Sequence, residues 1–437
     1  GLVSFALGTD TAGSGRVPAA LNNIVGLKPT LGALSNTGVV PACRTLDTVS
    51  IFALSVPDSW TVFRAGAKYD PDDAYARKIP APMLTTPPSV TRIGVPNPST
   101  REFFGDMIQE EGFTVALGQL SNLGAEIVEL DFTPFYEVAK MLYEGAWVAE
   151  RLSVVQDLLT KDAEALHPVT RQIISDGVSL TAVDAFRGMY RLAELNRQAA
   201  PLLDQVDMLC VPTIPTFYSI ADLKMDPITP NSRLGTYTNF VNLLDMCGIA
   251  VPFSPREDGR PGSVTLLARG GQDAAVAAMA DLLHREANVT LGATTIPLSS
   301  KSLPKTGPLP REIALAVVGA HMSGLPLNKQ LTLNGGRFLF LAKTAPEYRI
   351  YALAGGQPSR PGMVRAKNGE KIPLEVWALP TECLGAFIDN IPPPLVIGTV
   401  NLEDGAEVKG FLCEPSGLEG AKDITSYGGW RNYLERV

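Results

Sequence analysis

Gly8-Thr9-Asp10-Thr11-Ala12-Gly13-Ser14-Gly15-Arg16-Val17-Pro18-Ala19 decides how this chain is read. The stretch holds one serine, Ser14, after three small residues, Thr11, Ala12 and Gly13. Small residues let successive backbone N–H groups converge on one point. That makes a nest suited to a developing oxyanion, with a hydroxyl beside it. Ser14 is therefore the candidate nucleophile, and the N–H groups of Thr11, Ala12, Gly13 and Ser14 are the candidate oxyanion hole. The alternative is a glycine-rich turn that binds nothing, but such a turn needs no ordered Asp, Gly-Ser, Arg and Pro-Ala. Asp10 and Arg16 flank the serine by four and two residues, and are expected to pin the loop rather than touch substrate.

Outward from this loop, composition bounds the answer. A chain of 437 residues is too long for one ordinary domain, and two or three are expected. Hydrophobic content of 45% and charged content of 19% are those of a globular protein. A net charge of −8 argues against nucleic acid or an anionic membrane as partner. The five cysteines are scattered without CxxC pairs and read as reduced thiols of a cytoplasmic protein. Only His167, His284 and His321 occur, far apart, so neither a zinc site nor another cofactor is expected. His167 precedes Pro168 and His284 lies in a charged helical pattern, and both read as solvated bystanders. No apolar run reaches the roughly eighteen residues that a bilayer span requires.

Short apolar runs at 91–96, 125–130, 208–212 and 263–268 read as buried strands. Between them, residues 113–123, 136–161, 182–203 and 273–287 carry apolar residues at helical spacing. The alternation predicts an α/β sandwich with helices on both faces of a sheet. Domain one is expected over 1–288. A Thr/Ser/Pro/Lys-rich linker follows over 289–310. A small β-rich domain is expected over 311–437, with strands at 313–318, 338–341, 349–353 and 371–379, and a hairpin over 394–408 turned at Asp404-Gly405. The polar segment 231–240 reads as a structural loop rather than a pocket lining.

The run from Gly8 to Gly26-Leu27-Lys28-Pro29-Thr30 resembles the amidase signature family of Ser–cis-Ser–Lys hydrolases. The resemblance implies an α/β/α sandwich with a mixed central sheet. It also implies a lysine base that reaches the nucleophile through a bridging serine, both upstream of it. Gly1 stands thirteen residues before Ser14, within an apolar run (Leu2, Val3, Phe5, Ala6, Leu7) that reads as the middle of a core element. The expectation is an N-terminally incomplete chain, inactive alone, because a serine without a positioned base is a poor nucleophile. Lys28 follows the nucleophile and reads as a structural lysine.

Two further segments narrow the choice of amidase. In Leu142-Tyr143-Glu144-Gly145-Ala146-Trp147-Val148-Ala149-Glu150-Arg151, a helix would turn Tyr143 and Arg151 to similar sides. Phenol and guanidinium could then grip a small carboxylate. On the residues alone, a surface arginine paired with Glu144 or Glu150 is the slightly favoured reading. The segment resembles the substrate helix of allophanate hydrolases, amidase-signature enzymes of urea and cyanuric acid breakdown. Val317-Val318-Gly319-Ala320-His321-Met322-Ser323-Gly324-Leu325-Pro326-Leu327-Asn328 is similar to the first strand and loop of the γ-glutamyl cyclotransferase-like fold. Leu374-Glu375-Val376-Trp377-Ala378-Leu379-Pro380 is similar to its Glu-containing strand.

The resemblance to the allophanate hydrolases implies a small anionic substrate, allophanate, held by Tyr143 and Arg151 and attacked by Ser14. It implies decarboxylation of the resulting N-carboxycarbamate in a barrel-like C-terminal domain, with His321 as proton donor and Glu375 at the acid–base position of the cyclotransferases. For His321 the cap of a turn is an equal alternative. A homodimer and functional coupling to urea carboxylase are also implied. A different amidase, or a non-catalytic fragment, are the alternatives.

Overall fold

The computed structural model describes residues 2–298, 303 and 305–437. The chain divides into two compact units: Gly1–Pro82 with Arg92–Lys301, and Met83–Thr91 with Ser302–Val437.

The first unit is built on eight strands: β1 (Phe5–Asp10), β2 (Val25–Lys28), β3 (Thr48–Ala53), β4 (Thr91–Pro96), β5 (Ala125–Leu130), β6 (Met208–Pro212), β7 (Met246–Phe253) and β8 (Gly262–Arg269). Their order is β1-β3-β2-β7-β8-β6-β4-β5. β4 and β6 run parallel while β2, β7, β8 and β6 pair antiparallel, so the expected mixed sheet is present. β7 (MCGIAVPF) is buried at every residue, which requires cover on both faces of the sheet. The helix Asp273–Glu286 packs on β7 and β8, and Phe240–Leu243 packs on β7 and on the helix Thr133–Glu144. Phe132, Phe135 and Phe240 form the aromatic centre of this core, with ring centroids 4.8 and 5.3 Å apart along the series.

The structure corrects three expectations. The apolar run Leu2, Val3, Phe5 and Leu7 is not buried among the described residues. β1 pairs only with β3, at the sheet edge, and Leu2, Val3, Phe5 and Leu7 are exposed. The helix expected over 136–161 is two helices, Thr133–Glu144 and Trp147–Lys161. Gly145 takes an extended backbone between them, and a Cβ there would lie 2.9 Å from Met141 O. The stretch 289–310 is not a linker throughout. Thr290 bridges to Pro297, and Asn23 Nδ2 donates to Thr290 O and Gly292 O, so this end folds onto the first unit. Residues 299–302 and 304 of the same stretch lie outside the described residues.

The second unit has β9 (Glu312–Val317), β10 (Arg337–Lys343), β11 (Tyr348–Ala352), β12 (Pro361–Arg365), β13 (Pro373–Pro380), β14 (Leu395–Asn401), β15 (Glu407–Cys413) and β16 (Lys422–Asp423). They form a five-stranded sheet, β10-β13-β9-β15-β14, and a three-stranded sheet, β12-β11-β16. The β-rich unit is thus two sheets around one core that includes Leu315, Tyr348, Trp377 and Phe411. The hairpin turned at Asp404-Gly405 is present as β14–β15, with Gly405 at φ 85°. The segment Met83–Thr91 also belongs to this unit. Val90 N donates to Ser323 Oγ, and Val90 packs where a side chain at Gly324 would stand.

Candidate active site

Ser14 sits in the turn between β1 and the short helix Val17–Leu21. Its neighbours Thr11, Ala12, Gly13, Gly15 and Arg16 are buried, while Ser14 itself is exposed. A small loop presents one hydroxyl because its remaining groups are tied down. Arg16 Nε and Nη2 fork onto the two carboxylate oxygens of Asp10, at 2.9 and 3.0 Å, with both side chains fully buried. Asp10 Oδ2 also accepts from Gly15 N at 3.0 Å. Arg16 Nη2 donates to Ala12 O at 2.8 Å and to Thr238 O and Asn242 Oδ1 at 3.3 Å. Asp10 and Arg16 therefore pin the loop, and the segment 231–240 supplies part of its frame.

Gly13 and Gly15 are required by close approach. A Cβ on Gly13 would lie 2.5 Å from Thr238 Oγ1, and one on Gly15 2.4 Å from Ser50 Oγ.

The N–H groups of Arg16 and Val17 both donate to Gly13 O. Among the described residues, those of Thr11, Ala12, Gly13 and Ser14 donate to no protein acceptor. Four consecutive donors without acceptors beside an exposed hydroxyl is the arrangement an oxyanion needs.

A relay runs from this loop to the helix that carries Arg151. Thr11 Oγ1 donates to Asp47 Oδ1 at 2.5 Å. Asp47 accepts from Cys43 N at 3.1 Å. Cys43 Sγ donates to Glu150 Oε2 at 3.1 Å, and Thr45 N and Oγ1 also donate to Glu150. Burial and the Glu150 carboxylate push the Cys43 thiol well above its ordinary pKa, so it stays protonated as a donor. The link from Asp47 and Cys43 to Glu150 went unnoticed in the sequence, since it joins residues more than a hundred positions apart and has no local signature.

Tyr143 and Arg151 do meet, although the helix between them is broken. The Arg151 guanidinium lies over the Tyr143 ring, 4.4 Å from its centroid. Glu150 is engaged by Thr45 and Cys43, and among the described residues Arg151 forms no ion pair. Arg151 Nε is buried without a hydrogen-bond partner. The surface-pair reading of Arg151 with Glu144 or Glu150 is thereby removed.

Lys28 is structural. It is fully buried, and its Nζ donates to Pro29 O at 2.9 Å and Met246 O at 2.7 Å. Desolvation brings its pKa down to about 8. His167 is exposed, as expected. His284 is not: it is fully buried on the helix Asp273–Glu286, with neither ring nitrogen hydrogen-bonded. Burial holds its pKa down at about 4. Of the charged residues near it in sequence, Asp281 is buried as well and pairs with Arg285, which the charge pattern did not reveal.

In the second unit, His321 and Glu375 do not share a cavity. His321 stacks on Phe411, 4.9 Å between centroids at 19°, and its Nε2 meets Gln330 Oε1 at 2.9 Å. It lines a cavity of about 70 Å³ with Gln330, Arg360, Asn390 and Phe411. Desolvation lowers its pKa, against a smaller upward pull from the Gln330 bond. Glu375 is buried and borders a separate hollow with Trp430, Arg431 and Asn432. Its carboxylate accepts from Ser323 N and Oγ, Trp377 Nε1 and Arg431 Nη2 at 2.6–3.0 Å. A carboxylate with four donors is a buried anchor for the 321–324 loop rather than a proton carrier. The acid–base role expected of it has no free lone pair to act through. Among the described residues no cluster of three or more His, Cys, Asp or Glu is placed to hold a metal ion, and no helix is long and apolar enough to cross a membrane.

With this geometry in place, comparison with known proteins is direct. Residues 1–277 match the family model described as Amidase, and residues 313–435 the one described as Allophanate hydrolase C-terminal domain. The urea amidolyase of Saccharomyces cerevisiae is 42% identical over all of this chain, which covers 25% of that protein. The chain spans about a quarter of the length of the curated relatives it matches first. Among solved structures, a selenomethionine-substituted Kluyveromyces lactis allophanate hydrolase is 39% identical with a TM-score of 0.72, over 100% of this chain and 73% of that one. The K. lactis urea amidolyase is 40% identical with a TM-score of 0.75, over 100% and 27%. These matches, on a mixed sheet followed by a second unit of this kind, place the chain in the amidase signature family, in its allophanate hydrolase branch.

Proposed function

We propose that this chain carries out the two steps of allophanate breakdown, one in each unit. Ser14 Oγ attacks the terminal amide carbon of allophanate, and the four free N–H groups of Thr11 to Ser14 take the oxyanion. Ammonia leaves, and water releases the acyl group as N-carboxycarbamate. Tyr143 and Arg151 hold the substrate carboxylate. The single observation that carries this reading is the exposed Ser14 on a loop whose N–H groups have no protein acceptor.

Lys28 is not the base, because its ammonium is held by two carbonyl oxygens and makes no bond to Ser14. Among the described residues no lysine or histidine bonds Ser14. The base of the family's Ser–cis-Ser–Lys relay is therefore not assigned to a lysine or histidine among the described residues.

In the second unit, His321 delivers a proton to the nitrogen of N-carboxycarbamate as its carbon–nitrogen bond breaks. The bonding pair stays on nitrogen, carbon dioxide leaves, and carbamate remains, which decomposes to ammonia and carbon dioxide. Free thiols at Cys43, Cys210, Cys247, Cys383 and Cys413 accord with a cytoplasmic protein. Val183, Phe186, Met189 and Tyr190 lie exposed on the helix Ala182–Leu203, an apolar face that supports a homodimer. The length of the urea amidolyase relatives supports coupling to urea carboxylase.

The test is ammonia release from allophanate by the full protein, with and without Ser14→Ala. Undiminished release by the variant would remove Ser14 from the chemistry.

A further inference from the structure

The cavity beside His321 is lined by a cation that forms no ion pair among the described residues. Arg360 lines it, and its Nε is buried without a hydrogen-bond partner. Among the described residues no carboxylate pairs with this guanidinium. Four other arginines of this unit are paired with carboxylates: Arg337 with Glu312, Arg349 with Asp423, Arg365 with Glu347 and Arg431 with Glu375.

Arg360 is held in place rather than left loose. Its carbonyl accepts from Leu353 N at 3.1 Å, and Pro361, the first residue of β12, packs against Gly319 so closely that a Cβ there would lie 2.4 Å from Pro361 Cδ. The Gly319–His321 loop and Arg360 are thus fixed against each other. Arg360 is near enough to His321 for its charge to disfavour protonation of the imidazole.

A partly buried guanidinium without a partner is unfavourable in the free protein and favourable once an anion arrives. Its planar fork matches a carboxylate, and about 70 Å³ admits only a small one. The lining also includes the apolar Val317, Leu327, Leu395 and Phe411. A lining with both a cation and apolar surface suits an anion with two carboxylates of different fate. A carboxylate leaving as carbon dioxide loses its charge and is favoured against apolar wall, while one that stays charged is favoured on a cation.

We propose that Arg360 binds the retained carboxylate of a small dicarboxylate-like anion in the His321 cavity and so selects the substrate of the second unit. The inference rests on the reading of His321 as proton donor to N-carboxycarbamate. In that step the carbon–nitrogen bond of the free carboxylate breaks, the pair stays on nitrogen and takes the His321 proton, and the carboxylate on Arg360 leaves as carbamate.

Malonate is a stable carbon isostere of N-carboxycarbamate and serves as the probe. Titration calorimetry on the full protein carrying Arg151→Ala, which weakens the first unit's carboxylate grip, should show malonate binding. Arg360→Gln should weaken it on the order of tenfold or more, and Arg360→Lys should retain part of it, because a point charge replaces the fork. Malonamide, uncharged, should bind wild type and Arg360→Gln alike. Equal malonate affinity across wild type, Arg360→Gln and Arg360→Lys would overturn the proposal, as would no malonate binding at all. The two readings fail separately. If Arg360→Gln loses malonate while His321→Ala leaves the lifetime of N-carboxycarbamate unchanged, the anion site stands and the proton-donor role of His321 falls.

Discussion

Arg16 and Asp10 form a forked ion pair from which water is wholly excluded, and the pair closes the ends of the turn that carries Ser14. Its geometry rather than its net energy matters, since a buried pair roughly balances attraction against desolvation. Removing one partner is another matter, because the other charge is left buried alone. Arg16→Met should therefore cost about 3–5 kcal/mol of stability, and Asp10→Asn somewhat less. Arg16→Lys keeps the charge but loses the fork, and should fold while reacting more slowly at Ser14. Urea unfolding, together with labelling of Ser14 by an acylating probe, checks both. Labelling at the wild-type rate in Arg16→Lys would show that the pair does not position the nucleophile.

Ser14→Ala should abolish ammonia release while leaving unfolding unchanged. The residue is exposed and makes no hydrogen bond among the described residues, so its hydroxyl contributes nothing to the fold. The covalent adduct seen by mass spectrometry should vanish with it. An adduct on another residue would displace the assignment.

Arg151→Ala should raise KM for allophanate far more than for uncharged biuret. A charge-assisted contact to a carboxylate is worth roughly 1.5–3 kcal/mol, or about ten- to a hundred-fold. Tyr143→Leu should act in the same direction and more weakly, through loss of the ring that holds the guanidinium at 4.4 Å. Equal losses on both substrates would make the stacked pair structural.

His284 should make the protein acid-sensitive. Its folded pKa is held at about 4 against 6.5 for the free side chain, because burial disfavours the cation. The unfolded chain therefore takes up the proton first as pH falls. The contribution of neutral His284 is complete above about pH 6.5 and is lost between about 6.5 and 4. The loss amounts to a few kcal/mol, at about 1.4 kcal/mol for each tenfold difference in proton affinity between the folded and unfolded chain. His284→Leu should flatten the stability profile over that window. An unchanged profile in the variant would place the acid sensitivity elsewhere.

His321→Ala should lengthen the lifetime of N-carboxycarbamate, followed by carbon-13 NMR of labelled substrate, while leaving the first ammonia release nearly unchanged. A fragment of 311–437 should fold less stably than one that retains Met83–Thr91, because Val90 fills the space above Gly324 and donates to Ser323. Equal melting temperatures for the two fragments would show that the segment is an ornament of this unit.

Much of this protein is legible in one dimension. The strands β4, β5, β6 and β8 and the helix Ala182–Leu203 announce themselves because backbone hydrogen bonding repeats over a few residues and burial follows the same period. The loop 11–16 is legible for a related reason. Consecutive N–H groups converge only if the residues are small, so the constraint is local and written in the residue types. The roles of Asp10, Arg16 and Lys28 likewise follow from their position beside the loop.

What only the tertiary structure decides are relations between distant residues and between faces. Burial of His284 depends on which side of its helix meets the sheet, not on the charges near it in sequence. Exposure of Phe5 and Leu7 depends on β1 having one neighbour instead of two, which no apolar run reveals. The break at Gly145 hides behind a helical pattern that continues in phase on either side, yet Arg151 still reaches Tyr143. The relay Thr11–Asp47–Cys43–Glu150 and the separation of His321 from Glu375 arise from sheet order and packing. A side chain's chemistry is set by what surrounds it in space, and local sequence records only the part of that environment its own backbone supplies.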